Sequence, residues 1–204
     1  MLQQRVYLAS RSPRRRELLK QIGISFEILL LREDLRRGMD VDETPLPNEA
    51  PRDYVQRVAR AKAANATLQT GRRMLPSYPV LTADTTVALD GRIFGKPADA
   101  DEAARMLQAL SGRRHQVLTA IAVAGGDDVR TALSESTVEF RELTGDEIRR
   151  YIATREPLDK AGAYAIQGRG ALFVRNLNGS YSGVMGLPLF ETAELLRAFR
   201  VAVP

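Results

Sequence analysis

Residues 79–94 read PVLTADTTVALDGRIF, a run of β-branched and apolar residues that leads into an Asp-Gly turn. The run over 79–89 predicts a strand, and Asp90-Gly91 is a strong signal for a hairpin into a short strand at Arg92–Phe94. One acid, Asp84, interrupts the apolar run. Because a carboxylate is costly to bury unless it is paired with a cation or a metal ion, Asp84 is a candidate functional residue. A position at a strand end or on a solvent-facing side is the alternative.

Shorter elements surround this hairpin. Alternation in residues 5–9 predicts a strand, and Ser12-Pro13 predicts the start of a helix that Gly23 closes. Further strands are expected at 24–31, 115–124, 129–140 and 171–177, and further helices from Pro51 to about Gly71, from Asp99 to Ser111, from Thr144 to about Thr154, and over 187–199. Since hairpins alternate with helices, the sequence predicts an α/β fold with a mixed sheet. Loops at 32–50 and 155–171 are expected to line a cleft.

The composition limits the kinds of chemistry available. The 204 residues include no Cys and one His, His115, so thiol chemistry and His-cluster metal sites are excluded. The remaining carboxylates, lysines, arginines and hydroxyls suit a hard cation and a polyphosphate better than they suit acyl transfer. No apolar run approaches the roughly 18 to 20 residues that cross a bilayer. The first residues lack the apolar core of a secretory signal, so a cytoplasmic location is expected.

The charge balance is basic, with 30 Lys and Arg against 25 Asp and Glu and a formal net charge of +5. Such a balance is typical of proteins that bind nucleic acid, but also of proteins with an arginine-rich, solvated surface. The arginines here are interleaved with acids, and no zinc-finger spacing or aromatic RNA-binding pattern accompanies them. The solvated surface is therefore the favoured interpretation, and a nucleic-acid binder is the alternative.

The segment Ser10-Arg11-Ser12-Pro13-Arg14-Arg15-Arg16 joins the first strand to the first helix. A helix N-terminus has unpaired backbone N–H groups and a partial positive charge. Cations at this end oppose the helix dipole, so a bound anion would explain the arginines well. The segment therefore predicts a phosphate site, in which an arginine can bind two oxygens at once. A solvated first turn is the alternative.

Four other candidates carry weaker signals. Lys96 lies on a constrained Gly-Lys-Pro turn that lacks the frame of a Walker A motif. Lys62 follows the apolar face of a predicted helix, where a lysine is normally a surface residue. Asp42 and Glu43 are adjacent carboxylates that could hold a hard cation but more often decorate a surface. Gln167 could recognise a base edge, because its amide both donates and accepts hydrogen bonds.

Taken together and in this order, these segments resemble the Maf family of nucleotide pyrophosphatases. The similarity runs through LASRSPRRRELL (8–19), VDET (41–44), YVQRVARAKA (54–63), ADTTVALDGRIFGKP (83–97), SGRRHQVLTA (111–120), EPLDKAGAYAIQG (156–168) and NGSYSGVMGLPL (178–189). It implies an elongated α/β fold related to that of inosine triphosphate pyrophosphatases, with one domain over residues 1–204 and two lobes around a central cleft. The DKAGAYAIQG block resembles the branch that acts on dTTP and UTP.

The resemblance also implies roles for individual residues. Asp84 would accept a proton, hold a metal ion, or do both, and Glu43 would be a second carboxylate near that divalent cation, magnesium or manganese. The residues that bind the triphosphate would be Ser10, Arg14, Arg15, Lys62 and Lys96. The residues that discriminate the substrate would be Arg14, Thr85 and Gln167. His115 is expected to have no catalytic role.

The function implied is hydrolysis of dTTP and UTP, with modified pyrimidine nucleotides as further substrates, to the monophosphate and diphosphate. Two alternatives stay open at this stage: a pyrophosphatase for 7-methyl-GTP, and a nucleotide-binding regulator of septum formation without turnover. The expected partner is the nucleoside triphosphate, without nucleic acid or a membrane. The resemblance is also compatible with a homodimer.

Overall fold

The structure of the protein, a computed structural model, describes residues 4–31 and 41–204. Within these ranges, seven strands form one sheet: β1 (Val6–Leu8), β2 (Phe26–Ile28), β3 (Val80–Leu89), β4 (Arg92–Phe94), β5 (Arg114–Gly125), β6 (Asp128–Phe140) and β7 (Val174–Asn178). Their order is β2-β1-β3-β5-β6-β7, and β4 pairs with β3. The strand β1 runs parallel to β2 and to β3, and the other pairs are antiparallel. The mixed α/β sheet predicted from the sequence is confirmed.

Helices cover both faces of this sheet: α1 (Pro13–Gln21), α2 (Pro51–Arg72), α3 (Ala100–Leu110), α4 (Gly145–Ala153), α5 (Tyr181–Met185) and α6 (Leu189–Ala198). The helix α2 packs on one face, where its buried residues form a cluster with Ala88 of β3 and Leu118 of β5. The other helices contribute buried residues to a larger cluster on the opposite face. None of the helices in the described ranges combines the length and the apolarity needed to span a bilayer.

The hairpin between β3 and β4 has the predicted turn. Asp90 and Gly91 have φ of 51° and 77°, the left-handed conformation that a tight turn between twisted strands requires. The strand β4 pairs with Val87–Leu89 of β3. On the same edge, β1 pairs with Val80 and Leu81. Residues 82–86 of β3 therefore have no strand partner on this edge within the described part of the chain, and we call them the open edge of β3.

The strand predicted at 171–177 is wrong at its start. Residues Arg169–Phe173 form a 3₁₀ helix, and β7 begins only at Val174, not at 171. The backbone turns here because Glu156 accepts hydrogen bonds from the amides of Arg169 and Gly170. The segment before the last helix contains α5, which the Ser180 side chain caps.

Other element boundaries agree with the sequence patterns more closely. The predicted strand at 24–31 is limited to Phe26–Ile28, whereas α1, α2 and α4 begin at the residues that their N-terminal signals indicate. At the start of α3 the Asp99 side chain accepts a hydrogen bond from the Glu102 amide. The Glu102 side chain accepts from the Ala98 amide rather than from that of Asp99, so the two do not form a reciprocal capping box. Residues 32–40, part of the predicted cleft-lining loop, lie outside the described residues.

Candidate functional site

The open edge of β3 carries polar side chains on both faces of the sheet. Successive side chains of a strand point to opposite faces, so Asp84 faces α2 and Thr85 faces α1 and α5. Contacts agree with this alternation, because Asp84 contacts Lys62 of α2 and Thr85 contacts Arg15 of α1. The sequence predicted both Asp84 and Thr85 as site residues. The sheet separates them into two polar groups.

The group on the α2 face consists of Asp84, Lys62 and Glu43. Lys62 Nζ lies 2.8 Å from Asp84 Oδ1 and 2.9 Å from Glu43 Oε1. The Asp84 side chain is 9% exposed and that of Lys62 is 15% exposed, whereas Glu43 is 39% exposed. The structure therefore brings together three of the residues that the resemblance implied, and it orders them from the interior toward the surface.

The segment that carries Glu43 is attached to α2 by several contacts. Tyr54 donates from its hydroxyl to the backbone oxygen of Glu43, at 3.0 Å. Arg57 forms two hydrogen bonds with the Glu49 carboxylate, at 2.6 and 2.8 Å, and one with the Thr44 oxygen. The Arg57 hydrogen bonds lower the pKa of Glu49 to about 2. The first turns of α2 thus hold Glu43 beside Lys62.

The group on the opposite face is centred on Arg15. Its Nε donates to the Gly186 oxygen at 2.7 Å, Nη1 donates to the Ala83 oxygen at 2.8 Å and to Ser10 Oγ at 3.2 Å, and Nη2 donates to Thr85 Oγ1 at 3.2 Å. Desolvation lowers the pKa of Arg15, and the Asp84 charge opposes this. A guanidinium has five N–H donors, so most of those of Arg15 are used by the protein itself. Arg15 joins α1 to the open edge and to the end of α5.

A chain of hydroxyl groups continues from Arg15. Thr85 Oγ1 lies 2.9 Å from Thr119 Oγ1, and Thr119 donates its hydroxyl hydrogen to the Gly183 oxygen at 2.8 Å. Since a threonine hydroxyl has one hydrogen to donate, Thr119 must accept from Thr85. The hydrogen of Thr85 is therefore committed to Thr119, and its oxygen accepts from Arg15. Toward a ligand, Thr85 can offer only its remaining lone pair.

Arg14 lies at a small cavity beside this group. The cavity is lined by Arg14, by residues 164–167, and by Val184 and Met185 of α5. Nε of Arg14 is buried and has no hydrogen-bond partner within the described residues. Burial lowers the pKa of Arg14, and the negative charge of Asp159 is the largest effect that opposes this decrease. Gln167 is exposed at the cavity, so the structure brings Arg14 and Gln167, both predicted as specificity residues, to one place.

The last predicted residue, Lys96, is not joined to these groups by a contact. It is exposed directly after β4, and it forms no ion pair with a described residue. Its turn is attached to the short 3₁₀ turn Ala161–Ala163 by a hydrogen bond from the Gly162 amide to the Gly95 oxygen, at 3.0 Å. The location of Lys96 at the end of β4 leaves its long side chain free to reach a ligand.

Two residues of the site were missed by sequence reasoning. Thr119 interrupts the apolar run VLTAIAVA (117–124) as Asp84 interrupts its own, and it is fully buried. This signal could have found it. Tyr54 was interpreted as an apolar position of α2, because a tyrosine on an amphipathic helix gives no indication of what its hydroxyl contacts. His115 is buried beside Tyr164, 2.9 Å from Nε2 to the hydroxyl, and does not belong to either polar group.

The donor set on the α2 face suits a hard divalent cation. Carboxylate oxygens are the ligands that Mg²⁺ and Mn²⁺ prefer, and Mg²⁺ commonly takes one or two carboxylates and completes its shell with water and substrate phosphates. Within the described residues, no group of three or more His, Cys, Asp or Glu gathers at one place. Asp84 and Glu43 therefore fit a cation that shares its coordination with a phosphate ligand.

Comparison with known proteins identifies close relatives. A family model described as Maf-like protein matches residues 5–199. The dTTP/UTP pyrophosphatase of Nitrosospira multiformis is 57% identical over 202 residues, which cover 99% of this chain and 98% of that protein. The dTTP/UTP pyrophosphatase of Nitrosomonas europaea is 58% identical over 198 residues, 97% of this chain and 96% of that protein. A solved HAM1 protein from Coxiella burnetii covers 97% of this chain with 17% identity and a TM-score of 0.49. The similarity to both named pyrophosphatases extends over nearly the whole of each chain.

Proposed function

The chain belongs to the Maf family, and we infer that it is a nucleoside triphosphate pyrophosphatase that hydrolyses dTTP and UTP to the monophosphate and diphosphate. The observation that carries this is identity of 57% and 58% over nearly full length to two dTTP/UTP pyrophosphatases. The joined group of Asp84, Lys62 and Glu43 supports it, because it combines a buried carboxylate with a cation beside it. A carboxylate and a cation are what water activation and phosphate binding require.

We propose that water attacks the α-phosphorus and that Asp84 is the residue that activates it. The Asp84 carboxylate can accept the proton of the attacking water, since it is held at a fixed place on β3 by its ion pair with Lys62. Attack breaks the bond between the α-phosphorus and the bridging oxygen, and the diphosphate leaves with that oxygen. The proton on Asp84 then returns to solvent, which restores the carboxylate for the next turnover.

The phosphate charge needs cations on the side of the leaving group. Lys62 and Lys96 are proposed to contact the triphosphate, together with Arg14 and the hydroxyl of Ser10. Arg15 was predicted as a further phosphate ligand. Since four of its hydrogen bonds go to the protein, we propose that at most one remaining N–H reaches a phosphate oxygen. Electrostatic donors of this kind each contribute about 10²–10³ to turnover.

A divalent cation is part of this proposal. Asp84 and Glu43 would hold it, and when bound it would neutralise charge on the phosphate oxygens. Magnesium and manganese both suit the carboxylate donor set. Lys62 lies between the two carboxylates, so its ammonium group and the cation would both be attracted to Asp84 and Glu43. Both could also bind the triphosphate.

Recognition of the base is proposed at the cavity of Arg14 and Gln167. Uracil and thymine present an N–H between two carbonyl oxygens, and the Gln167 amide offers an acceptor and a donor that can pair with one such edge. Thr85, whose hydroxyl can only accept, lies beside the end of α5: a Cβ on Gly186 would be 3.5 Å from its oxygen. These groups favour a pyrimidine with a ring N–H over cytosine, which has an acceptor at that ring position.

The alternatives are less well supported. The relatives named above are pyrophosphatases for dTTP and UTP, which does not favour 7-methyl-GTP, a septum regulator without turnover, or a nucleic-acid binder. We further propose that the 204 residues form one domain with two lobes around a cleft at the open edge of β3. We also propose a cytoplasmic location. Whether the chain forms a homodimer is best tested by its mass in solution.

The test is diphosphate release from a panel of nucleoside triphosphates with Mg²⁺, with Mn²⁺ and with a chelator. The expected result is release from dTTP and UTP that the chelator stops, with CTP and GTP much slower. Asp84→Asn is the matched control, because it keeps the side-chain shape and removes the base. A preference for 7-methyl-GTP, or no release from any triphosphate by the folded protein, would contradict the proposal.

A further inference from the structure

The Glu156 carboxylate accepts three hydrogen bonds at the far side of the Gln167 loop. Its Oε1 accepts from the Tyr151 hydroxyl at 2.8 Å and from the Gly170 amide at 3.1 Å, and its Oε2 accepts from the Arg169 amide at 3.0 Å. Although burial raises the pKa of Glu156, the two amides and Tyr151 lower it below its ordinary value. The carboxylate is therefore ionised at neutral pH, where it accepts hydrogen bonds best.

The Tyr151 hydroxyl extends this network to the other side of the loop. It accepts from the Ala165 amide at 3.1 Å while it donates to Glu156. Ala165 precedes Gln167 by two residues and Arg169 follows it by two. One pair of side chains, Glu156 and Tyr151, thus fixes the backbone on both sides of Gln167. We call this pair the loop clamp.

Glycines allow the loop backbone to approach the clamp this closely. Gly168 has φ of 137°, and a Cβ there would lie 2.8 Å from both oxygens of Glu156. A Cβ on Gly170 would lie 2.7 Å from the Tyr151 hydroxyl and 2.5 Å from the Ala165 oxygen. Distances this short are not compatible with a side chain. The glycines of the sequence Gln-Gly-Arg-Gly therefore allow the backbone next to Gln167 to pack directly against the clamp.

The clamp also acts electrostatically on Arg14, which lines the cavity. Burial lowers the pKa of Arg14, and the negative charges of Asp159 and Glu156 oppose this. Tyr151 is itself buried, with its ring edge-on to Phe173 at 4.9 Å. The clamp thus joins the loop to the buried Tyr151 ring, and its Glu156 charge acts on Arg14.

We propose that Glu156 and Tyr151 are positioning residues for base recognition, which set the place of the Gln167 amide at the cavity of Arg14. This inference rests on the proposed function. Neither residue needs to touch the nucleotide, because both act through the backbone on each side of Gln167. A role restricted to stability would affect all substrates equally, whereas a positioning role alters the preference between bases.

The experiment compares kcat/KM for UTP and for CTP in the wild type, Glu156→Gln and Tyr151→Phe. Glu156→Gln keeps the shape but turns an NH₂ group toward backbone donors. Tyr151→Phe keeps the ring in the core and removes one hydroxyl. Both variants are expected to lower the UTP preference by about tenfold, since each loses or reverses hydrogen bonds next to Gln167. The loss should appear mainly in KM for UTP.

Glu147→Gln is the matched control. Glu147 also accepts from a backbone amide and from a side chain, at the start of α4, and these hydrogen bonds come from Thr144 and Arg141 rather than from the loop. The Glu147→Gln variant should have a lower melting temperature than the wild type but the same ratio of kcat/KM for UTP to kcat/KM for CTP. In addition, Glu156→Gln should alter the preference little once Gln167→Ala is present, because the two changes act on the same group.

Three results would overturn the inference. The first is an unaltered ratio of UTP to CTP in both clamp variants, even if they are less stable. The second is a double variant, Glu156→Gln with Gln167→Ala, whose loss of UTP preference equals the sum of the losses of the two single variants. The third is a wild type without preference for UTP and dTTP. Only this last result also removes the proposed function, so the two failures can be told apart.

Discussion

The ammonium group of Lys62 lies within hydrogen-bond distance of two carboxylates, 2.8 Å from Asp84 and 2.9 Å from Glu43. The three residues come from a helix, a strand interior and a loop segment, and only the fold brings them together. A buried carboxylate without a partner is costly, so Lys62 stabilises Asp84 in an apolar strand. The same arrangement holds the Asp84 carboxylate beside the place where we propose that phosphate binds.

Replacing Asp84 tests the proposed base directly. Asp84→Asn removes the carboxylate that would accept the water proton, while Lys62 keeps Glu43 as a partner. Diphosphate release from dTTP should fall by about 10²–10⁴, the usual contribution of a general base, or further if the cation is lost as well. The fold should be retained, as measured by circular dichroism. Turnover near that of the wild type would remove Asp84 from the mechanism.

Replacing Lys62 tests whether its ammonium and a divalent cation share the same carboxylates. Lys62→Met leaves Asp84 and Glu43 facing each other without a positive charge, so their repulsion lowers stability and favours a bound cation. Addition of Mg²⁺ should therefore raise the melting temperature of this variant more than that of the wild type. Lys20→Met, at an exposed position of α1, is the control. An equal response of all three proteins would argue against a cation at these carboxylates.

The hydroxyl chain from Thr85 to Gly183 can be broken at its middle. Thr119→Val removes the acceptor for Thr85 and one of two donors to the Gly183 oxygen, which still accepts from the Gly186 amide at 2.9 Å. The loss of hydrogen bonds at this position costs about 0.5–1.5 kcal/mol each. The free energy of unfolding should fall by this amount, and KM for UTP should rise because the Thr85 hydroxyl is no longer oriented. Thr119→Ser keeps the hydroxyl and should restore both values substantially. Equal behaviour of the two variants would show that the hydroxyl is not what matters.

The sequence predicted the elements of the fold better than it predicted contacts between them. The hairpin at Asp90-Gly91 and the helix from Pro51 depend on local turn and cap chemistry, which neighbouring residues determine. The start of β7 could not be found in this way. Its boundary depends on Glu156, whose carboxylate takes the Arg169 amide from 13 residues away.

The same difference applies to the candidate site. Asp84 and Thr119 are visible as polar residues within apolar strands, but alternation along β3 alone does not say which helix covers each face. The sequence also gave Arg15 the same phosphate role as Arg14. Their surroundings differ: Arg15 donates to four backbone or hydroxyl oxygens, and Arg14 lines a cavity. This difference depends on how α1 packs against the open edge and α5.

The single histidine gives a prediction about stability and pH. His115 is 2% exposed, and burial lowers its pKa from 6.5 to about 4. Between these values the unfolded chain binds a proton that the folded chain does not, so stability rises with pH there. The contribution of neutral His115 is complete above pH 6.5 and is lost as pH falls toward 4.

The size of this effect follows from the difference between the two pKa values, which corresponds to about 3 kcal/mol. His115→Gln keeps a polar group within reach of Tyr164 and does not titrate. Urea unfolding from pH 7 to pH 4 should therefore show a smaller decline in the variant than in the wild type, while diphosphate release at pH 7.5 stays nearly the same. The same decline in both proteins would mean that carboxylates, such as Glu49 with its pKa of about 2, account for the loss of stability. A large loss of turnover would instead give His115 a role in the site that its burial beside Tyr164 and Phe140 does not suggest.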